Sequence, residues 1–218
     1  MSVELQNISK SIHGITVLSN ISIVFHEGTI TGLKGINGSG KTMLMRIIAG
    51  LIRPSSGMIR IGEDYLWKDI SFPKEIGILI ENPAFLPYLT GMDNLKLLAE
   101  IKNKISKEEI SSTISKVGLD VNDKRKYHQY SLGMKQRLGI AAAVMEHPKI
   151  LLLDEPTNAL DTDCIERLKA LLHEEKNRGS IIVLSCHDYG ILQELSDEIY
   201  MIEKGHIVGH EKIVKPLI

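Results

Sequence analysis

Long apolar runs are missing from this sequence. Nothing in it approaches the ~18 uninterrupted apolar residues that a membrane-spanning helix needs. The longest candidates, Gly139–Met145 and Ile150–Leu153, are short and bounded by charge or proline. The opening residues, MSVELQNISK, carry Glu4 early and hold no apolar signal core. Cysteine is nearly absent: Cys164 and Cys186 stand alone, with no CxxC pair and no zinc-ligand spacing. That argues against a disulfide scaffold and fits two reduced, inert thiols in a cytosolic protein. Charge of one sign is missing too. The 218 residues carry 26 Lys+Arg against 27 Asp+Glu, a net charge of −1. Nothing in that balance draws the chain to nucleic acid. Internal repeats, low-complexity tracts and flexible linkers are likewise absent. The expectation is a soluble chain.

What is present is an ordinary globular composition, 43% hydrophobic, at a length suited to one well-cored domain. Val3–Leu5 alternates, Ile21–Phe25 is apolar and β-branched, and Glu27-Gly28 turns into a further strand at Thr29–Leu33. A glycine-rich loop at Gly35–Gly40 precedes a dense apolar helix over Met43–Ala49, which stops at Gly50. Met58–Ile61 and Ile76–Ile80 are strand candidates. The pattern then becomes helical. Thr90 with Asp93 three positions on reads as an N-cap, opening a helix through Leu95, Leu98 and Ile101. Further helices fit Ser106–Val117 and Gly133–Met145. After Pro148 the β/α alternation resumes: strands at Ile150–Leu153 and Ile181–Leu184, helices at Asp161–Lys176 and His187–Leu195. Terminal strands follow at Ile199–Ile202 and His206–Val208. Alternation of this kind predicts an α/β fold with a mostly parallel sheet. The helical block over about 85–147 reads as an insertion in a single domain covering 1–218.

Chemistry concentrates in a few places. Gly35-Ile36-Asn37-Gly38-Ser39-Gly40-Lys41-Thr42 matches G-x-x-x-x-G-K-[ST]. Glycines let backbone amides turn inward on phosphates, and the N-terminus of the following helix favours the same negative charge. Lys41 would reach the β- and γ-phosphates, and the Thr42 hydroxyl would ligate Mg²⁺. The apolar strand Ile150–Leu153 ends in Asp154-Glu155-Pro156. Asp154 would support Mg²⁺ through its water shell, and Glu155 would act as general base on the attacking water. Ser131 and Gly133, in Tyr130-Ser-Leu-Gly-Met-Lys-Gln-Arg137, open another helix and so form a second anion-ready terminus.

With DEPTNALD at Asp154–Asp161 and Ser185-Cys186-His187, this order of motifs resembles the ATP-binding cassette (ABC) family over essentially the whole chain. The resemblance implies a P-loop NTPase fold: a RecA-like core, an N-terminal antiparallel β subdomain and an inserted α-helical subdomain. It implies nucleotide contacts from Gly35, Asn37, Gly38, Ser39, Gly40, Lys41, Thr42 and Met43. It further implies a head-to-tail dimer in which Ser131 and Gly133 touch the γ-phosphate bound by the partner. Asn158 and Asp161 then belong to the D-loop at the seam, and His187 reaches the γ-phosphate and the attacking water.

Three departures from the family pattern stand out. The signature reads Ser131-Leu132-Gly133-Met134 where many members have Ser-Gly-Gly-Gln. Glu81 stands where a glutamine is usual, close to Mg²⁺ and the coupling surface. With Leu89-Thr90-Gly91 and the signature, it is similar to a subgroup linked to bacitracin resistance and lantibiotic self-protection. Finally, the aromatic residue that stacks on adenine is missing. Ile12 and His13 occupy its place and would stack more weakly.

The expected function is that of the ATP-hydrolysing subunit of a transporter, dimerising on ATP and driving a separate permease at the cytoplasmic face of the membrane. Phe85, Leu86 and Tyr88 are candidate anchors for that permease, or equally for packing within the helical subdomain. A soluble ABC ATPase acting on nucleic acid or ribosomes is the alternative, disfavoured by the net charge and by the lack of sustained heptads. A GTPase is disfavoured by the lack of an N-K-x-D motif after the phosphate loop.

Overall fold

Two sheets divide the strands between them, and the reason lies in how each strand is patterned. The computed structural model describes residues 1–214. Strands β1 (Ser2–Ile12), β2 (Ile15–His26), β4 (Ser56–Ile61) and β5 (Asp64–Tyr65) form an antiparallel sheet in the order β2-β1-β4-β5. Its register sets Val3 opposite Phe25 and Leu5 opposite Ile23, so the apolar members of each alternating strand fall on one face.

The second sheet comprises β3 (Thr29–Lys34), β6 (Ile76–Leu79), β7 (Ile150–Leu153), β8 (Ile181–Ser185), β9 (Glu198–Glu203) and β10 (His206–Lys212). Its order is β10-β9-β3-β8-β7-β6, parallel throughout except for the β9–β10 hairpin. Strand β7 is buried at all four positions and β8 at all five. A parallel sheet covered on both faces demands such continuous apolar runs.

Helix α1 (Lys41–Ile48) covers one face of this sheet. Its Leu44, Met45, Ile47 and Ile48 join Leu152 and Val183 in a core shared with Val3, Leu5 and Phe25 of the antiparallel sheet. Leu151, Leu153, Ile182 and Leu184 point the other way. They pack with residues of α4 (Leu132–Val144), α5 (Thr162–Asn177) and α6 (Tyr189–Leu195). Period-two alternation thus assigns one strand to two cores. Full burial of each such side chain is worth about 1.5–3 kcal/mol.

Between β6 and β7 the chain forms α2 (Gly91–Lys102), α3 (Lys107–Lys116) and α4. The Thr90 side chain caps α2 by accepting from the Asp93 amide at 3.1 Å. Ser106 caps α3 in a reciprocal box with Glu109. Each cap satisfies amide donors that the first turn leaves unpaired. No helix among the described residues is long and apolar enough to cross a membrane.

Several elements differ from the sequence expectation: β2 starts at Ile15 rather than Ile21 and β10 continues to Lys212, and three others change more tellingly. Strand β1 runs to Ile12 rather than stopping near Leu5, because its polar outer half is held by cross-strand bonding and needs no apolar alternation. Strand β5, at two residues, is too short to carry a period. Helix α6 begins at Tyr189, where Asp188 caps it by accepting from the Ile191 amide. His187 therefore lies on a loop rather than in a helix.

Candidate active site

The parallel strands end together, and their ends assemble the site. Leaving β3, the chain runs through the glycine loop into α1. Gly40 caps that helix with φ at +114°, and a Cβ there would sit 2.6 Å from Leu18 Cδ2. Both the backbone conformation and the close neighbour require glycine. The loop is braced from the far end of the chain: the Gly205 amide, in the β9–β10 turn, donates to Ser39 O at 2.9 Å. The Gly205 carbonyl accepts from the Ser19 amide, also at 2.9 Å.

Lys41 is buried, and its ammonium donates to Gly35 O at 2.7 Å and Ile36 O at 3.2 Å. Both partners are neutral carbonyls, so the positive charge stays uncompensated by them and the site attracts an anion. Beside it, the Thr42 hydroxyl donates to Asp154 Oδ2 at 2.5 Å, while Ser185 Oγ donates to Asp154 Oδ1 at 2.6 Å. Both carboxylate oxygens of this buried aspartate are therefore engaged. Together Thr42 and Asp154 offer hard oxygen donors suited to Mg²⁺. That ion commonly uses one or two protein oxygens, with water and substrate phosphates completing its shell.

Glu155 follows with φ at +51°, and its Oε1 is buried without a hydrogen-bond partner. Its Oε2 accepts from the His187 amide at 2.9 Å, and His187 Nε2 lies 3.5 Å from Oε1. The second distance suits an ion pair with a protonated ring but is too long for a good hydrogen bond. Burial raises the Glu155 carboxyl above the ordinary carboxylate range, against the opposing pull of His187 and Lys41. The Glu155 amide donates to Ser185 Oγ at 2.9 Å, and Gln136 Nε2 donates to the Glu155 carbonyl at 3.0 Å. The backbone of this residue is fixed on both sides while one carboxylate oxygen waits for a donor.

A cleft of about 320 Å³ is lined by the glycine loop and α1 start together with Val17, Arg46, Glu81, Asp154 and Glu155, whereas His187 lines a neighbouring cavity with Gly35 and Cys186. Of the predicted nucleotide contacts the cleft contains Asn37, Gly38, Ser39, Gly40, Lys41, Thr42 and Met43, but not Gly35. Glu81 follows β6 with φ at +61° and is ion-paired with Arg46 on α1, not with the Thr42–Asp154 pair. Ile12 and His13 sit exposed at the tip of the β1–β2 hairpin, outside this lining; Val17 is the hairpin residue that faces the cleft.

Other motif residues gather on a separate surface. Ser131 caps α4, accepting from the Met134 amide, and is exposed beside Leu132. A Cβ on Gly133 would lie 2.6 Å from the Ala159 carbonyl, so this glycine lets the Asn158–Leu160 loop rest on α4. Asn158 is exposed. Asp161 caps α5, and its hydrogen bonds with Cys164 hold its carboxyl below the usual range. Both cysteines are free. Cys186 is buried against the Thr157 hydroxyl at 3.2 Å, and burial pushes its thiol up, away from the reactive thiolate.

Sequence reasoning did not single out Ser185, Gln136, Arg46 or Val17. A polar residue closing the apolar run Ile181–Leu184 was the available signal for Ser185. The other three carry no local mark.

Comparison with known proteins matches the same motifs. Residues 18–158 fit the family model described as ABC transporter. The chain is 46% identical over 212 residues to the ABC transporter ATP-binding protein YybJ of Bacillus subtilis, with 97% of each chain covered. It is 37% identical to the lantibiotic transport ATP-binding protein SrtF of Streptococcus pyogenes, covering 94% of this chain and 89% of that one. With the bacitracin transport ATP-binding protein BcrA of Enterococcus faecalis it shares 36% identity, over 97% of this chain and 69% of the relative. Among solved structures, an ATP-binding subunit of an ABC transporter superposes with a TM-score of 0.88 at 25% identity, covering 98% of this chain and 90% of that one. The chain belongs to the ABC transporter family, as its ATP-binding, ATP-hydrolysing subunit.

Proposed function

We propose that the cleft binds MgATP and that two such subunits close head-to-tail to hydrolyse it, driving a separate permease that exports peptide antibiotics. One observation carries the hydrolytic reading: Glu155, buried and raised in pKa, keeps Oε1 unpartnered beside Lys41 and His187. A carboxylate so placed can accept a proton from water without first breaking a protein hydrogen bond. In this reading the loop amides and Lys41 bind the phosphates, and Thr42 and Asp154 hold Mg²⁺, which neutralises charge developing on the phosphoryl oxygens. His187 orients the attacking water. Electrostatic positioning supplies most of the acceleration.

Ser131 and Gly133 complete the partner's site, with Asn158 and Asp161 along the seam. The exposure of Ser131, Asn158 and Asp161, away from the chain's own cleft, supports a role in trans. The permease docks near Leu86 and Tyr88, 51% and 78% exposed, while Phe85 packs inward on Tyr127. On this reading the subunit sits peripherally at the cytoplasmic face of the membrane. The peptide-antibiotic cargo rests on the transport named for SrtF and BcrA.

Co-expression with a candidate permease, in a sensitive bacterial host, tests the reading. Raised tolerance to bacitracin or a lantibiotic, lost in Glu155→Gln, is the expected result. Salt-sensitive association with RNA, and no permease-dependent membrane fraction, would favour the nucleic-acid role instead.

A further inference from the structure

The charge census of the cleft raises a problem that one residue answers. Three carboxylates line it, Glu81, Asp154 and Glu155, against two cations, Lys41 and Arg46. A site of net negative charge is a poor receptor for a triphosphate. Asp154 is satisfied by Thr42 and Ser185, and Glu155 accepts from the His187 amide with His187 Nε2 close by. Glu81 has neither protection: its side chain is 61% exposed. It is engaged instead by the Arg46 guanidinium, from the last turn of the helix whose first turn carries Lys41 and Thr42.

We propose that Arg46 is a positioning residue for nucleotide binding, acting through Glu81. It neutralises that carboxylate and holds it against α1, so that the cleft accepts a polyanion. The argument rests on the cleft being the ATP site, and it concerns ground-state affinity rather than the chemical step. The pair is partly solvated and screened, so the effect is moderate.

The test is equilibrium binding of ATP, measured by calorimetry in EDTA and again with Mg²⁺. Arg46→Ala weakens binding about five-fold, as expected for one uncompensated charge near the phosphates. Glu81→Gln, which frees the Arg46 cation, tightens it. The double variant Arg46→Ala/Glu81→Gln returns close to wild type, because the carboxylate needing compensation is gone. Arg46→Lys retains most of the affinity, and Arg46→Gln, which keeps the aliphatic stem, serves if the alanine variant does not fold. A purely structural role for Arg46 would not be rescued by a change at Glu81. Unchanged affinity in both Arg46→Ala and Arg46→Gln overturns the proposal, as does a double variant as weak as the single. Lys41→Ala run in parallel separates the two readings. If it keeps full affinity, the ATP site itself is wrong; if it loses affinity while the Arg46 variants do not, only the role of Arg46 falls.

Discussion

Thr42 and Asp154 lie 112 positions apart in sequence, and the hydroxyl of the first donates to Oδ2 of the second at 2.5 Å. The bond joins the helix that follows the phosphate loop to the end of strand β7. In the proposed cycle Thr42 would ligate Mg²⁺ and Asp154 would support it through its water shell, so the two residues that would hold the ion are already joined. Removing the Thr42 hydroxyl (Thr42→Ala) is expected to weaken the Mg²⁺ dependence of ATP binding more than ATP binding in EDTA. Calorimetry with and without the ion measures the difference.

Glu155→Gln should retain ATP binding and lose turnover by about 100-fold or more, the usual scale of a lost general base. Phosphate release and gel filtration with ATP check both halves, since the arrested variant should accumulate as a dimer. Hydrolysis at the wild-type rate would remove Glu155 from the base role.

The same substitution carries a stability signature. Burial raises the Glu155 pKa in the folded protein above its value in the unfolded chain. The folded state then holds that proton to higher pH, so stability falls as pH rises from the ordinary carboxylate value through the raised one. Gln at this position has no charge to bury. Its melting temperature should exceed that of wild type at pH 7, and the gap should close below about pH 4.3. A series of thermal melts across this range reads the sign directly.

Lys41→Ala should lower ATP affinity roughly 10- to 100-fold, the cost of losing hydrogen bonds from a charged donor. Its present partners, the carbonyls of Gly35 and Ile36, accept from water equally well, so the fold should survive.

Base selectivity should be poor. Among the described residues no aromatic ring lines the cleft, and Val17 is the hairpin residue facing it. A small aliphatic side chain packs on any purine with little preference. Comparable ATP and GTP hydrolysis is expected, and a strong preference for ATP would show that something other than stacking reads the base.

The parts of this molecule that could be read from sequence are those whose physics is local. The helix starts at Thr90, Ser106 and Asp161 were visible because a cap and its amide partner lie within three residues. The Gly35–Thr42 loop was visible because its glycines, lysine and hydroxyl are consecutive. Strand β7 ran from Ile150 to Leu153 as expected, since four buried apolar residues followed by two acids leave little choice. The role of Ser185, as distinct from its place in the Ser185-Cys186-His187 motif, was hidden for the opposite reason. It matters only because β8 pairs with β7, which brings its hydroxyl to Asp154 and to the Glu155 amide. Arg46 and Gln136 likewise gain their roles from the packing of α1 and α4, which no window of sequence encodes. The hairpin tip was misleading in register: Ile12 and His13 stand at the turn, and the strand places Val17 by the cleft.

Gly205 adds a matter of timing. Its amide bonds Ser39 in the phosphate loop, and its φ of +79° together with the Val17 carbonyl 2.3 Å from any Cβ admits only glycine. During synthesis the loop leaves the ribosome early, whereas β8 and β9, which flank β3, and the turn that braces the loop emerge more than a hundred residues later. A nascent chain stopped before Ile181 holds every residue of the glycine loop and neither neighbour of the strand that leads into it. Such a chain should not retain nucleotide, so ATP can act as a folding ligand only once the last hairpin is in place.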